Sequence, residues 1–76
     1  MDLMPTILTI EDDSAIRQGI VDSLSYFGHS VIEAGDGDAG WKLAVEREYD
    51  LLLLDLALPG KPGLQILGDL LSLIHI

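Results

Sequence analysis

Residues Leu51 to Leu54 are four leucines in a row, closed by Asp55. A strand with one face in water alternates apolar and polar residues, whereas a strand covered on both faces reads as a continuous apolar run. Helices packed on both sides of a parallel sheet provide that cover. The run therefore predicts a short, buried, parallel strand whose last act is to deliver a carboxylate at its carboxyl end.

The rest of the chain supplies the matching parts. Thr6 to Ile10 (TILTI) is β-branched and apolar between Pro5 and three acids, which predicts a first strand, β1. Ile16, Ile20, Leu24 and Phe27 recur at helical spacing, with Asp13 or Ser14 placed to cap the start and Gly28 to end it, giving helix α1. Ser30 to Ala34 (SVIEA) is strand β2, and Gly35, Asp36 and Gly37 turn into a helix α2 with Asp36 as N-cap and Ala39 and Leu43 on its apolar stripe. Gly40 weakens that helix by about 1 kcal/mol relative to alanine. Leu51 to Leu54 is then β3. The segment from Leu58 to Gly63 (LPGKPG) is a turn, and Leu64, Leu67 and Leu71 resume a helical period as α3. Strands and helices alternating in units this short predict an α/β fold, βαβαβα, with right-handed crossovers and helices on both faces.

Length and charge bound the function. A chain of 76 residues makes one small domain that buries only about 60% of its unfolded surface. Thirteen acids against four bases give a net charge of −9, which argues against nucleic-acid contact by this segment. The longest apolar run is too short to span a bilayer, and Asp2 and Pro5 interrupt what would be a leader, so a cytoplasmic location away from the membrane is expected. With no cysteine, a metal would be held by oxygen or imidazole.

In an open parallel sheet, ligands bind beyond the carboxyl ends of the strands where strand order reverses. Glu11 and Asp12 follow β1 and Asp55 closes β3, so pairing β1 with β3 brings three carboxylates to one edge. Their repulsion calls for a cation. Mg²⁺ takes oxygen ligands and is commonly bound by one or two carboxylates together with a substrate phosphate. Such a pocket is a phosphoryl-transfer site in outline, with Asp55 the candidate nucleophile. Asp13 is expected only to cap α1.

The segments ILTIEDDSAIR, VIEAGDGDAGWKLA and YDLLLLDLALPGKPGLQIL resemble the opening segments of response-regulator receiver domains. The resemblance covers residues 5 to about 70 and implies the flavodoxin-like doubly wound fold, here strands 2-1-3 of the full order 2-1-3-4-5. It implies that Asp55 accepts a phosphoryl group from the phosphohistidine of a sensor histidine kinase or phosphotransfer protein. Asp12 is then a direct Mg²⁺ ligand, Glu11 a ligand through water, and the backbone carbonyl of Ala57 a further ligand. Pro59 and Gly63 shape the loop. The domain acts as a signalling switch rather than a metabolic enzyme. Its output domain would lie beyond this sequence.

Two other readings compete. A phosphorylation-independent pseudo-receiver would bind partners only, although the joint presence of Glu11, Asp12 and Asp55 speaks against it. A phosphohydrolase of the haloacid-dehalogenase type wants a second aspartate two residues after the first, where Ala57 stands. Several side chains are expected to be bystanders: His29 a solvated loop residue, Trp41 a partly exposed packing residue on α2, and Lys61 a surface charge in the loop. Pro62 stands where the family often has aspartate, a tolerable change because proline can start a helix.

Residues 1–70 are thus expected to be a partial receiver. The phosphate-binding lysine, the switch hydroxyl and the last two strands of the family fall outside it. Residues 71–76 (LSLIHI) match a translated transposon-adapter sequence and are expected to be a non-native, read-through tail. With the outer edge of β3 unpaired, poor solubility or partial folding is expected of residues 1–76 alone.

Overall fold

A computed structural model describes residues 4–73. It contains β1 (Thr6–Ile10), α1 (Ser14–Tyr26), β2 (Ser30–Ala34), α2 (Gly37–Glu46), β3 (Leu51–Leu54) and α3 (Gly63–Ser72). The strands form one parallel sheet in the order β2-β1-β3. Thr6 to Ile10 lie opposite Ser30 to Ala34, and Ile7 to Ile10 lie opposite Leu51 to Leu54. The central strand β1 is accordingly the best buried, with Leu8 and Ile10 inaccessible.

The chain steps outward from β1 to β2, then back across β1 to β3. Right-handed crossovers in opposite directions put the intervening helices on opposite faces. Leu8, Ile10, Ile32, Ala34, Leu52 and Leu54 share one face with Ala44 of α2 and Ile66 of α3, and this layer is the core. Complete burial of a side chain such as Ile66 contributes about 2 kcal/mol. On the other face α1 packs on β1 and β2 and contains no fully buried residue. A cleft of about 380 Å³ remains there, lined by Thr9, Ile20 and Leu53 and reaching Glu11 and Asp55. The Thr9 hydroxyl is buried beside it with no hydrogen-bond partner among the described residues.

Local chemistry explains the helix starts. Asp13 is the N-cap of α1, its Oδ1 accepting from the N–H groups of Ala15 (2.9 Å) and Ile16 (3.0 Å). Asp36 caps α2 through Ala39 N–H at 2.8 Å. Pro62 occupies the N-cap of α3 and offers no side-chain bond. Gly40, unfavourable in an isolated helix, sits where α2 crosses β1: a Cβ there would stand 2.7 Å from the Ile10 side chain. Its cost in propensity is offset by close helix-to-sheet approach.

Helix α3 departs from the expected pattern. Ile66 is buried and Leu70 packs against the core, whereas Leu64, Leu67 and Leu71 are exposed. Positions 63, 66 and 70 have the same helical spacing as 64, 67 and 71, so periodicity alone cannot choose between the stripes. Gly63 makes the choice. It lies so close to the Asp55 carbonyl that a Cβ would collide, and this contact turns the Ile66 stripe inward. Ile16 and Phe27, expected on the apolar face of α1, are also exposed. Of the tail expected to be foreign, Leu71 and Ser72 continue α3 and Leu73 caps it, while residues 74–76 lie outside the described residues. Among the described residues no helix is long and apolar enough to cross a membrane.

Candidate functional site

The carboxyl ends of β1 and β3 are joined by continued backbone pairing: Asp55 N–H donates to the Ile10 carbonyl at 3.0 Å, just past the paired strand residues. On the other side Glu11 N–H donates to the Ala34 carbonyl at 3.1 Å. The sheet therefore holds both Glu11 and Asp55 on rigid backbone. Glu11, Asp12 and Asp55 each present a carboxylate oxygen, and these oxygens all lie within 4.8 Å of one another. The three acids singled out in the sequence do meet.

Their electrostatics record the proximity. The Glu11 carboxyl is raised above its ordinary value, first by the hydrogen bond it shares with Asp55, then by desolvation and the Asp55 charge. Asp55 is lowered, chiefly because the Ala57 N–H donates to its Oδ1 at 3.0 Å, with the Glu11 bond adding to the effect. Of the two, Glu11 is pushed toward its protonated form and Asp55 toward its charged form. A hard divalent cation relieves their repulsion, and an all-oxygen donor set of this span suits Mg²⁺. Ala57 was expected to contribute its carbonyl as a ligand; the contact it makes at the site is a different one, its N–H bound to Asp55.

Arg17 was not apparent from the sequence as part of this region. Its Nη1 donates to the Glu11 carbonyl at 2.8 Å and its Nε to Glu33 Oε1 at 3.2 Å. One guanidinium thus ties the end of β1 to α1 and β2, using the fork of donors that arginine alone offers. The signal available was its place on the first turns of α1, six residues after Glu11.

Two bystanders differ from expectation. Lys61 is not a free surface charge: its Nζ lies 2.6 Å from Asp69 Oδ2 and 4.0 Å from the centre of the Trp41 ring. A loop lysine finds these partners because α2 and α3 are neighbours, which no local pattern encodes. His29 is half-buried rather than solvated, and its Nδ1 is covered, with no hydrogen-bond partner among the described residues. Trp41 is partly exposed and packs against the core, as expected.

Comparison with known proteins bears on what this geometry is. The family model described as "Response regulator receiver domain" matches residues 7–74. The transcriptional regulatory protein AfsQ1 of Streptomyces coelicolor is 46% identical over 63 residues, covering 83% of this chain and 28% of AfsQ1. CiaR of Streptococcus pneumoniae is 42% identical over 67 residues, 88% of this chain and 30% of CiaR. The chain thus spans under a third of the curated relatives it matches. Among solved structures, the receiver domain of the Francisella response regulator 1452 superposes with a TM-score of 0.87 at 28% identity, covering 91% of this chain and 57% of that one. TrrA of Thermotoga maritima, solved with Mg²⁺ and BeF, gives 0.85 at 30% identity, covering 91% of this chain and 60% of that one. TrrA has also been solved in complex with the histidine kinase ThkA. With the 2-1-3 parallel sheet and an acidic cluster at its carboxyl edge, these matches establish that the chain belongs to the response regulator receiver domain family.

Proposed function

We propose that Asp55 is the phosphoacceptor of a two-component phosphorelay and that Glu11, Asp12, Asp55 and the Ala57 backbone carbonyl hold Mg²⁺ beside it. The observation that carries this reading is the convergence of three carboxylates within 4.8 Å, one of them following directly on β3, a strand only partly buried rather than fully covered as its four leucines predict. A carboxylate oxygen of Asp55 attacks the phosphorus of a phosphohistidine. The P–N bond breaks, the imidazole leaves with its electron pair and takes up a proton, and an acyl phosphate forms on Asp55. Mg²⁺ held by these residues would neutralise charge on the phosphoryl oxygens. Ala57 N–H engages one Asp55 oxygen and leaves the other for attack. Arg17 fixes the backbone that carries Glu11.

The partner is a sensor histidine kinase or phosphotransfer protein, and the complex of TrrA with ThkA supports that choice. The role is that of a cytoplasmic signalling switch. A net charge of −9 leaves any nucleic-acid contact to an output domain. Residues 71–76 are proposed to be adapter-derived; source codons other than CTG TCT CTT ATA CAC ATC would refute that.

The function is tested by carrying residues 1–70 in a receiver of family length and incubating it with a small acyl phosphate and Mg²⁺. An acid-stable, base-labile adduct of one phosphate is expected, and none with Asp55→Asn. An adduct that survives this substitution, or no adduct at all, refutes the assignment.

A further inference from the structure

The loop leading from Asp55 into α3, residues 56–62, is pinned along its length. Ala57 N–H is bound to Asp55, Leu58 is buried in the core, and the Pro59 carbonyl accepts from Gly37 N–H, at the start of α2, at 3.0 Å. The Lys61 carbonyl lies so close to Gly37 that a Cβ on residue 37 would collide with it. The Lys61 side chain closes the set. Only 19% exposed, it holds its ammonium over the Trp41 ring of α2 and against Asp69 of α3. One side chain from the loop is thereby fastened to both helices that cover the core face of the sheet.

We propose that Lys61 is a positioning residue for the Asp55 site, holding the loop so that Ala57 stays in the register that orients Asp55 and completes the metal shell. The inference rests on the phosphoacceptor reading above and deepens it. Lys61 does not reach the carboxylates; it acts through the backbone between itself and Ala57. Releasing it lets the loop sample other conformations, and apparent metal affinity falls with the fraction of molecules whose loop is competent. Lys61→Met keeps the apolar stem and removes the cation, whereas Lys61→Arg keeps a cation able to stack on Trp41 and pair with Asp69.

The test is a Mg²⁺ titration by calorimetry of residues 1–70, carried in a receiver of family length that adds no tryptophan, and of both variants in the same setting, with emission from Trp41 read in parallel. In Lys61→Met the emission shifts as the ammonium leaves the ring, and Mg²⁺ affinity drops roughly threefold to tenfold, the range of substitutions that act through a coupled network. Lys61→Arg restores affinity to within about twofold, a recovery that loss of general stability would not follow. Unchanged Mg²⁺ affinity in Lys61→Met, with the emission shifted, overturns the inference and leaves the Asp55 assignment standing. Absence of Mg²⁺ binding by the unaltered chain overturns both.

Discussion

The backbone N–H of Ala57 donates to Oδ1 of Asp55 across 3.0 Å, and this one bond is the largest cause holding the Asp55 carboxyl below its ordinary value beside Glu11. A hydrogen bond to the charged form favours that form. Ala57→Pro removes the donor while leaving a carbonyl at the same position. The Asp55 carboxyl should then titrate at higher pH, read from its side-chain carbon chemical shift. An unchanged titration would mean that the sheet edge, not the loop amide, sets the ionisation of Asp55.

Glu11 and Asp55 make opposite contributions to stability as pH changes. Asp55, lowered in the fold, contributes stability that is present above its unfolded value and is lost as pH falls through its folded one. Glu11, raised in the fold, binds its proton more tightly folded than unfolded, so its contribution is present at low pH and is lost as pH rises through the raised value. A cation that needs both carboxylates ionised must displace the Glu11 proton. Mg²⁺ affinity should therefore weaken as pH falls toward and below the raised Glu11 value, which lies above the ordinary glutamate pKa of about 4.3. Proton release on Mg²⁺ binding, measured calorimetrically in buffers of different ionisation enthalpy, should appear in that range and vanish in Glu11→Gln. Equal release in the variant would assign the proton elsewhere.

Two glycines in helices invite the same substitution with opposite results. Gly19 on α1 has open space where a Cβ would go, so Gly19→Ala should stabilise the chain by about 0.5–1 kcal/mol through helix propensity and a less flexible unfolded state. Gly40 on α2 meets Ile10, and the propensity gain must be set against overpacking that costs about 1–3 kcal/mol. Gly40→Ala should be net destabilising. Urea midpoints of the two variants check the pair, and a stabilised Gly40→Ala would mean that α2 can lift from β1 at little cost.

The contrast between these glycines marks where sequence reading stops. All three strands stand at the expected bounds because each is a short β-branched or apolar segment between turn residues, a purely local signal. The acidic site was legible for a related reason: each carboxylate sits at a strand end, and parallel pairing of β1 with β3 joins those ends. Helix faces were harder. In α3 two apolar stripes of equal period compete, and the contact of Gly63 with the Asp55 carbonyl that decides between them is tertiary. Arg17 and Lys61 were missed as tethers because their partners, the Glu11 carbonyl and the Trp41 ring, lie on other elements. Long charged side chains show no periodicity that reveals what they reach.

The decision that turns Ile66 inward also leaves Leu64 (65% exposed), Leu67 (39%) and Leu71 (53%) on the outer face of α3. Leu51 at the start of β3 is half exposed, and among the described residues β3 pairs only with β1. An open strand edge beside an apolar helix face offers both hydrogen bonds and apolar area to another chain. The net charge of −9 opposes association, but salt screens it, with a Debye length of about 8 Å at physiological ionic strength. The 76-residue chain should therefore self-associate, more strongly as salt is added, and Leu64→Lys with Leu67→Glu should shift sedimentation toward the monomer. Adding salt strengthens apolar contact and weakens attraction between unlike charges, so the sign of the salt effect separates the two causes. A monodisperse monomer with a sharp thermal transition would show that the edge and the leucine face are harmless as they stand.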